Sequence, residues 1–349
     1  MKSAPYTKEY DGTFIDGAGR QVFISAERFI SHIAQGDSCF ICGRLPSSVP
    51  FNKEHVLPNW ILRGYGIREA SITVPGGLEN KYSEYLIPCC TACNSALGDE
   101  FEAPISRAIK GGWNVFTQFL QRSENIALLY RWLALIFLKT HLKDKTNPMP
   151  SELGQGSLAQ FVDWTAMHHL HCLVRTQFSG SVVGPGVQGT FMVFQMRLDE
   201  EVEPFDYADW ELSKTIMLRV GEVGMIAVMN DSEAAGNKIR PFLTHLSSVT
   251  KLQLREIFAR VADLNSRIEA RPQYFTAIDR IRSRLEIGVR IPTAQPMFSE
   301  ITSDSLGPIL KFACGEFVND GARKQLGAGA YTFFRIDSKG YFHRLDSEG

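Results

Sequence analysis

Two cysteine pairs give the chain its first chemical signature: Cys39 and Cys42 in "CFICGRLPSSVPFNKEHVLPNW", and Cys90 and Cys93 in "IPCCTACNSALGDEFE". A C-x2-C knuckle presents two sulfurs to one ion at about 2.3 Å, so two such pairs suit a closed tetrahedral zinc site. Gly43 fits the tight turn that follows the first knuckle. Cys89 is the spare thiol, because its neighbour Cys90 has the correct offset to Cys93; it reads as a small apolar packing residue. A closed four-thiolate site holds a fold together but leaves no open position for substrate. Any chemistry has to come from other side chains.

Three polar residues lie where such a metal would gather them. "KEHVLPNW" reads as a strand entering a turn at Pro58, with Glu54 and His55 on opposite faces at the strand period of two. Asn94 follows the fourth thiolate, and "SALGDEFEAPISRAI" continues as a helix. One ion joining the two knuckles therefore brings Glu54, His55 and Asn94 from distant positions toward one place.

C-x2-C, then Glu-His, then C-x2-C-Asn on a helix resembles the HNH (ββα-metal) endonuclease superfamily, in particular its zinc-bearing members such as phage recombination endonuclease VII. The resemblance covers residues 39 to about 105. It implies that Cys39, Cys42, Cys90 and Cys93 hold a structural zinc. It also implies that His55 is the general base that activates water, and that Glu54 and Asn94 ligate a catalytic divalent cation, Mg²⁺ or Mn²⁺. The sequence departs from the family pattern in one place. The middle asparagine, which commonly orients the histidine through backbone contacts, has no counterpart in "SEYLIPC", and Asn80 is displaced from that position. An aspartate is also commoner than Glu54 before the histidine.

The implied chemistry is physically coherent. Phosphodiester hydrolysis needs a nucleophile formed near neutral pH, and a histidine with an ordinary pKa of about 6.5 can take the proton. A hard cation held by a carboxylate, an amide oxygen and waters stabilises the departing oxygen. The expected activity is metal-dependent cleavage of DNA in preference to RNA, and analogy suggests a place in restriction or antiviral defence. The alternative is a catalytically inactive, zinc-stabilised module that binds nucleic acid or protein.

The remaining chain sets the frame. With 349 residues the sequence has room for more than one domain, and its 44% hydrophobic and 21% charged residues are those of an ordinary globular protein. A formal net charge of −1 announces no polyanion or membrane partner, so a nucleic acid would need a local basic patch. The N-terminus lacks the apolar core of a secretory signal, and "IALLYRWLALIFLK" is too short for a bilayer. Seven cysteines, five of them between positions 39 and 93, favour a metal site in a reducing compartment over disulfides, which implies a cytoplasmic protein.

The expected fold class is α+β. A preface over residues 1–36 includes a helix capped by Ser25, with Phe29, Ile30 and Ile33 on one face. A zinc-stapled ββα-metal module with trailing helices follows over 37–145, those helices spanning roughly 113–123 and 124–143. A linker at 143–156 leads to a larger α+β accessory domain over 146–349, with a targeting or regulatory role and scope for a protein partner or small-molecule ligand. Within that domain "HLHCLVRTQF", "GTFMVFQMRL" and "SKTIMLRVGEVGMIAVMND" read as strands, the last turning near Gly221 to Gly224. "EVEPFDYADWE" reads as an acidic loop. Residues 249–285 read as helix, and "YTFFRIDSKGYFHRL" reads as a hairpin turning at Ser338 to Gly340. As a strand, "MHHLHC" would place His169 and His171 on one face, a conceivable second metal site, and Leu170 and Cys172 on the other. Arg255, Arg260, Arg267, Arg271, Arg280, Arg282 and Arg284 form a concentration of cationic residues suited to phosphates or to solvated helix faces.

Overall fold

This computed structural model describes residues 6–74, 78–148, 156–160, 162–197, 203–279, 284–292 and 295–344. The fold is mixed α+β. Contacts gather the chain into two compact units, each assembled from separate stretches. The first takes Met1–Arg107, Ile126–Val187 and Tyr274–Val289; the second takes Ala108–Asn125, Gln188–Gln273 and Arg290–Gly349.

In the first unit, strand β1 (Phe51–His55) pairs antiparallel with β2 (Leu86–Cys90), the register running from Phe51 opposite Cys90 to His55 opposite Leu86. Pro58 follows β1 and helix α1 (Asn59–Gly64) begins at once, since proline satisfies an N-terminal position without needing its missing N–H. Helix α2 (Thr91–Leu97) leaves β2 directly. The apolar run read from the sequence forms helix α3 (Ser123–Asp144), buried from Leu128 almost continuously to Leu142, and Trp60 of α1 stacks on its Trp132. The helix expected after Ser25 is present: Ser25 Oγ accepts from Arg28 N, and the helix widens into a π-type turn over Phe29–Ala34.

"MHHLHC" is not a strand. It lies in helix α4 (Trp164–Ser179), capped by Asp163 and ended by Gly180 at φ +71°. Trp164, Met167, Leu170, Leu173 and Val174 are all buried, a period of three to four that outweighs the local look of the histidine run. His169 and His171 consequently do not share a face, and the conceivable second metal site is lost.

The second unit centres on an antiparallel sheet of β3 (Phe191–Gln195), β4 (Phe205–Trp210), β5 (Thr215–Val220) and β6 (Val223–Val228), ordered β4-β5-β6-β3. The β5–β6 turn sits at Gly221, with φ +60°, as the sequence led us to expect. Every residue of β5 and β6 is buried, and helix α5 (Lys251–Ser266) adds Leu254, Ile257, Phe258 and Val261 to the same core. Two expectations fail here. The acidic stretch contains strand β4, because Phe205 and Ala208 bury while Asp206 finds a cationic partner in Arg255. The helix expected over 249–285 stops at Ser266, and Gln273–Asp279 and Arg284–Arg290 are strands. The hairpin at Phe334–Ile336 and Phe342–Arg344 is as expected. Positions 149–155 of the expected linker lie outside the described residues. No helix among the described residues is long and apolar enough to cross a membrane.

Candidate metal centre and the adjoining polar site

The sulfurs of Cys39, Cys42, Cys90 and Cys93 all lie within 4.8 Å of one another. Cys42 Sγ is 3.6 Å from Cys90 Sγ. A tetrahedron with metal–sulfur bonds of about 2.3 Å has edges of about 3.8 Å, so four thiolates at this spacing can take a metal ion such as zinc. The two knuckles thus meet at one place. Cys89 is buried as expected, but its Sγ stands 3.8 Å from that of Cys39, making it a neighbour of the cluster. Hydrogen bonds from Cys42, Cys89 and Cys93 hold the Cys39 thiol far below its ordinary range, and the same contact with Cys39 pushes Cys42 up to about 12.

Local backbone chemistry shapes the first knuckle. Gly43 N donates to Cys39 O at 2.8 Å with Gly43 at φ +74°, and a Cβ there would meet Gln21 Oε1 at 2.8 Å and Ile24 Cδ1 at 2.9 Å. Conformation and space both demand glycine. Helix α4 holds the knuckle from behind. His171 Nε2 donates to Phe40 O at 2.8 Å, Arg175 Nε donates to Ile41 O at 2.6 Å, and Arg175 Nη2 reaches Gln21 O. Phe40 and Ile41 are the two residues between the first pair of cysteines. Burial lowers the pKa of His171 well below the ordinary histidine range, so it makes this contact as a neutral imidazole.

The three polar candidates take distinct positions around β1. Asn94 lies in the first turns of α2, and its Nδ2 donates to Asn52 Oδ1 at 2.8 Å and weakly to Lys53 O at 3.4 Å. With both donors directed at β1, the amide retains Oδ1 as its acceptor. Glu54 is buried, and its Oε1 accepts from Lys139 Nζ of α3 at 2.7 Å. His55 is half-buried at the end of the ladder, where the register runs without interruption from Phe51. Burial, above all, lowers the pKa of His55. Glu54 opposes this effect, while Arg68, Lys139 and Arg63 add to it. The imidazole is thereby kept neutral near pH 7.

Several residues around this place carried no signal in the sequence. Lys139 is fully buried in an apolar helix and also donates to His55 O at 2.7 Å. Glu102 follows α2 on a π-type turn, and its carboxyl is pushed up to about 7 by burial, with Lys139 acting against the shift and Glu54 with it. Arg68 Nη1 donates to Asn59 Oδ1 at 2.6 Å, and its positive charge is felt at His55.

The cationic stretch of the second unit is largely engaged with internal partners. Arg255 makes two hydrogen bonds to the buried Asp206 carboxylate, Arg260 pairs with Glu256, Arg267 pairs with Asp263, and Arg271 bonds to Asn265. Arg280 and Arg282 lie outside the described residues. Against known proteins the chain stands apart: no family model, no curated protein and no solved structure matches it.

Proposed function

We propose that residues 37–105 act as a metal-dependent HNH-type endonuclease that hydrolyses phosphodiester bonds in DNA. The observation that supports this reading best is one local arrangement. An antiparallel strand pair runs straight into a helix, a four-cysteine cluster closes the end where β2 meets α2, and a half-buried, neutral His55 ends β1 at the other. His55 would accept the proton of the attacking water. Its pKa, lowered mainly by burial, leaves it unprotonated at neutral pH, the form a general base requires. Glu54 and Asn94 are the residues that would hold a cation such as Mg²⁺ or Mn²⁺, as the resemblance implies, and the cation would supply charge stabilisation for the leaving oxygen. Cys39, Cys42, Cys90 and Cys93 would hold zinc as a purely structural ion. Arg63 and Arg68 offer positive charge to the phosphate beside the base.

The test is cleavage of supercoiled plasmid DNA by the full chain with Mg²⁺ or Mn²⁺, wild type against His55→Ala. Loss of nicking in a folded His55→Ala protein that still binds DNA supports the assignment. Equal nicking by both, or by neither, removes it. One observation favours a second reading, a zinc-stabilised binding module without turnover: the carboxylate of Glu54 already has a cationic partner in Lys139. DNA binding without cutting by the wild-type protein, whichever cation is added, would select that reading.

A further inference from the structure

Lys139 is the least expected charge in the first unit. It sits on α3 among Leu135, Ile136, Phe137, Leu138 and Leu142, with none of its side chain exposed. Removing an ammonium from water is costly, and replacing a buried ion pair with apolar residues often leaves a protein as stable or more so. A lysine kept at such a position is therefore poorly explained by stability alone. Its contacts offer another account. One nitrogen reaches the side chain of Glu54 and the main-chain oxygen of His55, each at 2.7 Å, across more than eighty residues of sequence.

We propose that Lys139 is the positioning residue of the candidate site, fixing the Glu54–His55 dipeptide so that its two side chains stay on opposite sides of β1. The functional meaning of this role rests on the nuclease reading; the role itself follows from geometry. The ladder of β1 ends at His55, and beyond it one backbone bond, Val56 N to Tyr85 O at 3.0 Å, shares with Lys139 the hold on the strand end. The donor on His55 O anchors the peptide plane that follows the histidine. The bond to Glu54 anchors the side chain that precedes it. With both ends held by one rigidly buried nitrogen, a backbone rotation that would redirect the Cα–Cβ bond of His55 must break a buried hydrogen bond.

The experiment uses the full chain with four substitutions: Lys139→Met, Lys139→Gln, Lys139→Arg and His55→Ala. Fold integrity is read from thermal melting and from the cobalt thiolate absorption of the substituted four-cysteine cluster. The single-turnover rate on supercoiled plasmid with Mn²⁺ should fall about 100-fold in Lys139→Met, the scale expected when a catalytic group is misplaced by about 1 Å. DNA affinity should stay within about threefold, because the lysine is buried and touches no phosphate. Lys139→Arg should recover much of the rate, having kept a cationic donor. Should Lys139→Met fail to fold, Lys139→Gln keeps a donor for the carbonyl and serves in its place.

A folded Lys139→Met protein cutting at the wild-type rate would overturn the proposal. So would a parallel loss of rate, cobalt spectrum and melting temperature across the lysine variants, which would mark the lysine as a fold element only. A second readout separates this idea from the nuclease reading. The His55 imidazole resonances, assigned by their absence in His55→Ala, should shift and broaden in Lys139→Met. If they stay in place the positioning role is wrong, whether or not the wild-type protein cuts DNA.

Discussion

His171 Nε2 stands 2.8 Å from the carbonyl oxygen of Phe40, inside the two-residue loop that separates Cys39 from Cys42. Arg175, one helical turn further along α4, takes the next carbonyl, that of Ile41. Together they supply hydrogen-bond partners to a loop whose own backbone is bent around the sulfurs. Removing the guanidinium strands the buried carbonyl of Ile41 and the half-buried carbonyl of Gln21, so Arg175→Met should cost about 2 kcal/mol, from about 1–3 kcal/mol per buried orphaned group. Urea unfolding followed by cobalt thiolate absorption checks this, and a loss under about 1 kcal/mol would count against the role assigned to α4.

The four-cysteine cluster makes a stoichiometric prediction. Purified protein should carry one zinc per chain by mass spectrometry, and Cys93→Ala or Cys90→Ala should abolish it and unfold β1, β2 and α2, because metal binding free energy is folding free energy in such sites. Cys89→Ala should keep the metal and cost only about 1 kcal/mol, the typical effect of an ordinary point change. Metal lost equally from Cys89→Ala and Cys90→Ala would mean that the ligand set is wrongly drawn.

Acid should weaken the first unit through the half-buried His169. Burial pushes His169 down to about 3, against about 6.5 in an unfolded chain. Between those values the unfolded state binds the extra proton, so the stability is whole above about pH 6.5 and falls as the pH drops. The loss for this one residue reaches about 2 kcal/mol by pH 5, at 1.36 kcal/mol per unit. His169→Phe keeps a ring to stack on Tyr274, whose centroid is 3.7 Å away. The difference in unfolding free energy between pH 7 and pH 5 should shrink by about that amount in the variant, and an unchanged difference would show that His169 is not the residue responsible.

Within the second unit, three paired arginines are predicted to add no DNA affinity. Arg255, Arg260 and Arg267 each face a carboxylate partner. The salt dependence of plasmid binding should therefore be unaltered in Arg260→Gln and Arg267→Gln, whereas loss of a phosphate-contacting arginine lowers the slope by about one. Asp206→Ala should destabilise the protein by about 3–5 kcal/mol by stranding Arg255, a cost visible in thermal melts.

What the sequence made legible follows from how local each signal is. The two knuckles, the Glu-His strand and the helix carrying Asn94 each lie within a few residues, and the tight spacing of their cysteines needs no knowledge of the rest of the chain. The Ser25 cap and the hairpins at Gly221 and Gly340 were readable for the same reason. Lys139, His171 and Arg175 were not, because each acts on a backbone carbonyl from another segment, and nothing near them in sequence announces the partner. "MHHLHC" misled in the opposite sense: its histidines suggested chemistry, while the apolar residues spaced around them, from Trp164 to Val174, dictated a helix. The acidic run before Trp210 was legible as charge but not as strand, since Asp206 is neutralised by an arginine far along the chain.

The interleaving of the first unit bears on any attempt to isolate the nuclease part. A fragment cut after residue 145 would contain all four cysteines, the histidine and the lysine, yet leave behind the helix that clasps the first thiol loop. Such a shortened protein would still have every atom of its proposed chemistry and lack the brace that keeps the loop closed. Trimming should therefore extend at least through Ser179 before silence in an assay is held against the site.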